Sequence, residues 1–237
     1  MSKANLVFPH QLHQDISVLQ NGAPVYLIEE YLFFSQYKFH KQKIAYHRAT
    51  MQFYKQHLEK NGITVNYIEA KDKESDIRKL IPHLSKEGID TLAYRNPTDY
   101  YLENRLDEGI RTHNLTKEES PSLLFINSKD DLSAFFKPTK KKFFQTSFYK
   151  NERARLNILI EKNGEYEGGK LSFDADNRKK YPAKKTPPAI HFPEATEFHK
   201  EALSYVDKNF KNNYGEINSE TYYPVTFEQT ETWLNQF

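Results

Sequence analysis

Cysteine is the residue type that this 237-residue chain lacks entirely. Its absence excludes a disulfide scaffold, a cysteine nucleophile, a zinc–thiolate site and an iron–sulfur cluster held by these residues. Long hydrophobic runs are missing too: no apolar stretch approaches the roughly 20 residues of a membrane-spanning helix, and residues 1–9 lack the apolar segment of a signal peptide. We therefore expect a cytoplasmic protein that makes no membrane contact.

A surplus of one charge sign is also missing. The 34 Lys and Arg and 32 Asp and Glu leave a net charge of +2, which argues against a dominant nucleic-acid-binding face and leaves room for a local basic patch. The 8 glycines form neither a dinucleotide-binding fingerprint nor a phosphate loop, which disfavours NAD or ATP bound in the usual way. The 9 histidines show no metal-ligand spacing, and no Ser, His and Asp arrangement stands out. We predict neither a metal site nor catalytic residues.

Aromatic residues are abundant, at 14% of the chain. Apolar and β-branched runs predict short strands near residues 6–8, 25–28, 63–68, 91–94 and 123–126. Amphipathic segments predict helices between them over 41–61, 75–87 and 101–110, the second of which Pro82 would kink or split. Strands that alternate with helices at short spacing predict an α/β fold with a doubly wound, mostly parallel sheet.

The pattern changes after residue 126. We predict a helix over 147–161, an irregular strap over 164–188 that is rich in Gly, Lys, Asn and Pro, and further helices over 194–209 and 227–237. The last helix is still apolar where the sequence stops. We therefore expect the chain to be a fragment of something longer.

Ligands of doubly wound sheets lie at the carboxyl ends of the strands, which the sequence places at residues 9–11, 29–30 and 95–96. Aromatic residues over 31–39 follow the second of these ends. They could wall a pocket for a flat ligand whose orientation the neighbouring polar groups fix. The alternative, which composition alone favours, is an ordinary core of Phe and Tyr between sheet and helix.

A second candidate is the basic and aromatic run over residues 137–144, KPTKKKFF. Such a run could contact a nucleic-acid backbone. The alternative, which the near-zero net charge favours, is a solvated loop.

Several segments, in order over nearly the whole chain, resemble one protein family. Residues 6–12 (LVFPHQL) resemble an opening strand and loop that ends in GDQL, and 39–45 (FHKQKIA) resemble a helix start HHKxKIA. Residues 96–100 (NPTDY) are similar to a turn EPGEY, and 148–153 (FYKNER) to FYREMR. Residues 168–178 (GGKLSFDADNR) closely match GGRWNFDAENR. Together these motifs resemble the deoxyribodipyrimidine photolyase-related proteins, the branch of iron–sulfur bacterial cryptochromes and (6-4) photolyases.

The resemblance implies a Rossmann-like α/β domain of the photolyase N-terminal type over residues 1–145, which in the characterised branch holds an antenna chromophore, dimethyl-ribityllumazine. Residues 146–215 would form a helix and strap packed on it, and 216–237 the start of a truncated helical domain. In the family, the helical domain holds FAD, binds the DNA lesion and carries an iron–sulfur cluster on four cysteines. We expect neither FAD nor the cluster in this chain, and no repair by the chain alone; whether it is an enzyme stays open.

The function that the resemblance implies is that of a light-harvesting antenna domain, which passes excitation to the flavin without bond chemistry. The chain departs from the family at three of its chromophore positions. Phe33 occupies the position of a Glu that contacts the chromophore in the lumazine-binding branch. Gln36 occupies the position of a Tyr in that branch, and His47 that of an aliphatic contact residue. His10 also replaces an Asp of the loop. The residues that we predict to bind the chromophore are His10, Gln11, Glu29, Glu30, Phe33, Phe34, Phe39, His40, Lys43 and His47.

Two alternative functions stay open at this point. One is a ligand-free structural module that docks the helical FAD domain. The other is a nucleic-acid-binding domain that uses Lys140, Lys141 and Lys142. For the antenna function, the expected partner is the helical domain that this chain lacks. DNA would be bound only by the full-length protein, and we expect a monomer.

Overall fold

The computed structural model describes residues 2–217 and 223–236. Its centre is a five-stranded sheet in which every neighbouring pair is parallel. The strands are β1 (Lys3–Val7), β2 (Val25–Ile28), β3 (Val65–Ile68), β4 (Thr91–Arg95) and β5 (Thr116–Ser120), and they lie in the order β3-β2-β1-β4-β5. The doubly wound, parallel α/β fold predicted from the sequence is confirmed.

Eight α-helices lie among the described residues, together with four short 3₁₀ turns. The helices are α1 (Tyr31–Phe34), α2 (Lys41–Lys60), α3 (Ile77–Lys86), α4 (Tyr100–Thr112), α5 (Lys129–Phe135), α6 (Gln145–Leu156), α7 (Glu197–Asn209) and α8 (Phe227–Leu234). Side chains cap several of them at the N-terminus, such as Asp76 on α3 and Asp99 on α4. None of the helices that the structure describes is both long and apolar enough to cross a membrane.

The winding of the sheet reverses between β1 and β4. From β1 the chain proceeds through β2 to β3 on one side, and then crosses to β4 and β5 on the other. In open α/β sheets a crevice forms outside the carboxyl ends of the strands at such a reversal. The loops that follow β1 and β4, over residues 8–11 and 96–99, therefore border the switch point of this sheet.

Apolar side chains cover both faces of the sheet. On one face, Ile44, Met51 and Leu58 of α2 are fully buried together with residues of α7. On the other face, α3 and α4 bury Leu80, Leu106 and their neighbours. The amphipathic pattern over 41–61 predicted α2, and the structure confirms it over Lys41–Lys60.

The fifth strand is not where the sequence placed it. The apolar run 123–126 is no strand, and its side chains are 41–72% exposed. The polar segment Thr116–Ser120 pairs with β4 instead. A short link from α4 brings this segment beside the free edge of β4, and backbone pairing there needs no apolar side chain. Lys117, bound to Asp107 and Glu119, keeps the outer edge of the sheet charged.

Two predicted helices differ in detail. The helix predicted over 75–87 is a single helix, α3, which continues through Pro82 because Ile77, Leu80 and Ile81 are fully buried on its inner face. The helix predicted over 147–161 ends at Leu156, because Asn157 adopts a left-handed conformation with a φ of 52°. The single turn α1 was not predicted from the sequence.

Contacts between residues divide the chain into two compact units. The first consists of residues 1–125 and 190–237 and contains the sheet, and the second is residues 126–189. The second unit contains α5, α6, an isolated antiparallel bridge between Ile160 and Tyr166, and two short 3₁₀ turns over the predicted strap. The division into residues 1–145, 146–215 and 216–237 stays a prediction, and positions 218–222 and 237 of its last segment lie outside the described residues.

Candidate functional site

Two residues of the loop after β1 bridge the switch point. Gln11 is buried, and its side-chain amide donates hydrogen bonds to the carbonyl oxygens of Arg95 and Asn96 over 3.0 and 3.1 Å. The His10 Nε2 lies 2.8 Å from the carbonyl oxygen of Pro97. These bonds join the loops that follow β1 and β4. A ligand could enter between these two strand ends only after breaking them.

A small cavity remains on the far side of Gln11. It has a volume of about 30 Å³ and is lined among others by Asn5, His13, Tyr54 and Arg95. This volume is that of about one water molecule. Arg95 is bound to Asp15 over 2.8 Å at its rim. The cavity is too small for an aromatic ring system.

The carboxylate of Glu29, at the end of β2, is fully engaged by protein groups. Its Oε1 accepts hydrogen bonds from Arg48 Nη1 at 2.9 Å and from the Tyr67 hydroxyl at 2.7 Å. Its Oε2 accepts from the Ala70 amide at 2.7 Å and from the Tyr205 hydroxyl at 2.9 Å. A carboxylate has about four acceptor positions, and all are used here. Glu29 is therefore a structural hub in this conformation.

Arg48 of α2 connects that hub to two more carboxylates. Its guanidinium contacts Glu69 at 3.1 Å and Glu201 of α7 at 2.7 Å, and it lies 4.0 Å from the Tyr205 ring centre. Although burial alone would lower the pKa of Arg48, its bonds to Glu201 and the charge of Glu29 raise it above the usual value. Arg48 stays charged and holds α2, α7 and the end of β2 together.

Glu30 has a capping role. Its carboxylate accepts hydrogen bonds from the backbone amides of Leu32, in α1, and Ile77, at the start of α3. The side chain is fully buried, and burial raises its pKa to about 7 in spite of these amide contacts. Arg105 lies 3.9 Å away, too far for a hydrogen bond. Glu30 thus ties the β2 end to two helix starts.

Five of the predicted residues come together on the β1–β2 side of the sheet edge. The His10 and Phe33 rings are 4.9 Å apart at their centres, and Lys43 lies 3.8 Å over the centre of the Phe39 ring. Burial, together with the nearby Lys43 and His10, lowers the pKa of His47 to about 4. The cluster combines aromatic surfaces with two imidazoles and an ammonium group.

His10 has an unused acceptor in this cluster. Burial lowers its pKa, which leaves the imidazole neutral at pH 7. A carbonyl oxygen only accepts, so the proton that faces Pro97 is on Nε2. The lone pair is then on Nδ1, which is buried and has no hydrogen-bond partner among the residues that the structure describes. An N–H or O–H group of a ligand would satisfy it.

Two other predicted residues are engaged in packing and capping. Phe34 is fully buried in the core, where its ring centre is 5.8 Å from that of His47 and 6.5 Å from that of Phe210. His40 caps α2 by accepting from the Gln42 amide at 3.1 Å, and its ring packs against Tyr214. The sequence placed all ten residues at one edge of the sheet, and the structure gives Gln11, Glu29, Glu30, Phe34 and His40 protein partners there. A chromophore contact for any of the ten stays a prediction.

The comparison with known proteins decides the family. The profile of the deoxyribodipyrimidine photo-lyase-related proteins matches residues 5–222. The chain belongs to this family. The resemblance found in the sequence motifs is thereby confirmed.

Two curated relatives differ in how much of them the chain covers. An uncharacterized protein of Acanthamoeba polyphaga mimivirus is 33% identical over 198 residues, which are 78% of this chain and 97% of the viral protein. A (6-4) photolyase of Agrobacterium fabrum is 23% identical over 253 aligned residues, which cover the whole of this chain and 48% of the photolyase. The photolyase-related chain thus matches nearly all of one relative and about half of the other.

Sequence reasoning missed the residues that organise this edge of the photolyase-related chain. Arg48 carried a signal, because it interrupts the apolar face of α2 between Ile44 and Met51, and a charge at such a position indicates a buried partner. Tyr205 and Glu201 carried none, since they follow in sequence more than 150 positions later. Among the described residues, no group of three or more His, Asp and Glu side chains is arranged to hold a metal ion.

Proposed function

We propose that this chain is the chromophore-binding, light-harvesting module of a photolyase-related protein, with its site formed by His10, Phe33, Phe39, Lys43 and His47. One observation carries the proposal: beside an aromatic ring at the carboxyl edge of the sheet, the buried Nδ1 of His10 has no hydrogen-bond partner in the described part of the chain. Family membership over residues 5–222 supports it. A cytoplasmic, monomeric protein is part of the same proposal.

The residue types fit a flat heterocycle with a polar edge, such as dimethyl-ribityllumazine. His10 Nδ1 would accept from the ring N–H or from a ribityl hydroxyl, and the Lys43 ammonium would donate to a ring carbonyl. Phe33 and Phe39 are partly exposed and would cover the faces of the ring. The chromophore would supply light absorption and excitation transfer. The protein would bind it, orient it and exclude water, and no bond would be made or broken.

The flavin chemistry of the family would then reside outside this chain. The chain spans 48% of the (6-4) photolyase that it resembles, and it contains no cysteine with which to hold a cluster. We propose that this chain alone neither binds FAD nor repairs DNA, and that it acts with a helical flavin domain as its partner. Light-dependent loss of (6-4) lesions above a no-protein control would contradict this part.

A fluorescence titration of dimethyl-ribityllumazine into the purified chain tests the binding function. We expect saturable binding to the wild type and affinity about tenfold lower for His10→Phe, which removes the acceptor and keeps a ring. His83→Phe, at an exposed position of α3, is the matched control and should bind like the wild type. Equal loss in both variants would reject His10 as the contact.

Phe33→Glu tests the ligand's identity. It restores the carboxylate that the lumazine-binding branch has at this position. If lumazine is the ligand, this variant should bind it more tightly than the wild type does. If the pocket is built for another ligand, a buried charge should abolish binding. Absence of binding to both the wild type and Phe33→Glu would reject lumazine.

A ligand-free docking module is the second candidate. It is favoured by the bonds of Gln11 across the switch point and by the four partners of Glu29, which leave these two side chains no contact to offer. The absorption spectrum of the chain as purified separates the two functions. A band above 300 nm supports the chromophore, whereas a spectrum of Tyr and Trp alone, with no lumazine binding, supports the docking module.

A further inference from the structure

The near-neutral net charge of the chain is the sum of a basic part and an acidic part. Residues 126–189, which form the second compact unit, contain 15 Lys and Arg and 8 Asp and Glu. The rest of the chain contains 19 Lys and Arg and 24 Asp and Glu. The second unit therefore has a surplus of seven positive charges, and the remainder has a surplus of five negative ones. The whole-chain value of +2 is no guide to what this unit binds.

Several acids at the α5–α6 end of this unit are engaged by its own side chains. Asp131 accepts from Ser128 and lies 3.2 Å from Arg155. Glu152 is bound by Arg155 and by Asn127. These ion pairs leave the lysines between α5 and α6 to set the local potential, and Lys140, Lys141 and Lys142 are all exposed.

Aromatic rings lie beside these lysines. Phe135, Phe136, Phe143 and Phe148 form a cluster with ring centres 5.0 to 6.4 Å apart. The Lys140 ammonium lies 3.7 Å over the centre of the Phe135 ring. Phe136, Phe143 and Phe144 are 43%, 47% and 64% exposed, and a contiguous exposed apolar patch of this kind marks an interaction site. The segment therefore presents open ring faces next to a row of positive charges.

We propose that this surface, formed by Lys140, Lys141, Lys142, Phe143 and Phe144, binds single-stranded nucleic acid. Lysines attract the phosphates, and exposed rings stack on bases, which only an unpaired strand offers. A duplex could use the lysines alone. The inference does not depend on the chromophore, since none of these residues belongs to that site.

Fluorescence anisotropy of a labelled oligothymidylate of about 20 nucleotides, with the full chain, tests the proposal. We expect binding that weakens steeply with salt. A combined variant, Lys140→Ala with Lys141→Ala and Lys142→Ala, should bind with lower affinity. Each lost phosphate contact should reduce the slope of log K against log salt by about 0.7, so the three together should reduce it by about 2. The combined control Lys60→Ala, Lys86→Ala and Lys208→Ala removes the same charge from exposed positions of the first unit and should change the affinity less than twofold.

The combined Phe143→Leu and Phe144→Leu variant tests the stacking. It keeps the apolar volume and removes the ring faces, so we expect about tenfold weaker binding of the single strand and unchanged binding of a duplex of equal length. Circular dichroism and thermal unfolding should match the wild type for every variant used.

Three results would overturn the proposal. They are absence of single-strand binding at low salt, equal losses in the lysine variant and its control, and single-strand affinity that is unchanged by the two leucines. Absence of single-strand binding would indicate that the exposed rings contact a protein partner instead. Affinity unchanged by the two leucines would indicate that the lysines bind polyanions in general.

Discussion

The Tyr205 hydroxyl donates a hydrogen bond of 2.9 Å to the Glu29 carboxylate, although 176 positions separate the two residues in the chain. The bond joins α7 to the end of β2 beneath the apolar contacts that α7 makes with α2. The late segment of the chain is therefore fastened to the sheet by a polar network as well as by its hydrophobic face.

Tyr205→Phe should destabilise the chain by about 1–2 kcal/mol, because one acceptor position of the buried Glu29 carboxylate loses its donor. Urea unfolding of the variant and the wild type measures this. Tyr101→Phe, at a position 63% exposed, is the control and should be neutral. Equal stability of Tyr205→Phe and the wild type would show that the bond contributes nothing.

Glu30 should make stability fall as pH rises. Its pKa is about 7 in the folded chain against an ordinary value of 4.5, so the folded state binds the proton more tightly. Its contribution is complete below pH 4.5, is lost as pH rises to 7, and totals roughly 3 kcal/mol at most.

The Glu30→Gln variant isolates this contribution. His47, with a pKa lowered to about 4, has the opposite effect between its ordinary 6.5 and that value, so the net slope of the wild type is small there. Subtracting the unfolding free energy of Glu30→Gln from that of the wild type removes the His47 effect. We expect this difference to decline from pH 4.5 to 7, whereas Glu108→Gln, exposed on α4, should give a flat difference.

Gly215→Ala should displace the loop that follows α7. A Cβ at this position would lie 2.0 Å from His40 Nε2, and the φ of +83° is unfavourable for alanine. Gly62→Ala, with a φ of +76° and open space around it, carries the backbone strain without the clash. By thermal unfolding we expect Gly62→Ala to cost roughly 1 kcal/mol and Gly215→Ala clearly more. Equal costs would mean that His40 moves aside freely.

Arg153→Lys should loosen the second unit. The Arg153 guanidinium donates to the carbonyl oxygens of Ile158, Leu159 and Leu171, and it stacks 4.7 Å over the centre of the Tyr166 ring. A lysine ammonium cannot reproduce this fork. We expect faster amide hydrogen exchange over residues 158–171, by about tenfold or more. Arg155→Lys, at an exposed ion pair, should leave that exchange unchanged.

Limited proteolysis should cut first within residues 164–188. All side chains over 179–190 are exposed, and these twelve residues lie in no helix or strand that would protect their backbone. Trypsin should therefore cleave near Lys179 and Lys180 or near Lys184 and Lys185 before it reaches the sheet. A first cut within 63–68 would contradict this order.

The inner strands could be predicted because their composition is dictated by burial on both faces. The runs that became β1, β2 and β4 are apolar for that reason. The edge strand β5 could not be predicted in this way. Its sequence TKEES pairs with β4 through the backbone, and its side chains face solvent, so they are polar. The exposed run 123–126 was mistaken for it because hydrophobicity alone does not distinguish a core strand from an uncovered surface.

The candidate site was predictable in position and less so in detail. The end of the predicted second strand correctly placed Glu29 and Glu30 at the carboxyl edge of the sheet. Only the fold shows that Glu29 accepts hydrogen bonds from Arg48 and Tyr205, and that Glu30 accepts from the first residues of two helices. Partners that lie far apart in sequence leave no local pattern. His10 was predictable as a loop residue, whereas its unpaired Nδ1 depends on the bond of its other nitrogen to Pro97.

The first unit is discontinuous, since residues 190–237 complete it after the second unit has been passed. During synthesis, the face of α2 that α7 covers must wait for the ribosome to deliver Ala202, Tyr205 and Val206. Until then the part of α2 that α7 covers is open to solvent, and Arg48 has no contact with Glu201. Chaperone dependence of expression should therefore end only when α7 has been translated.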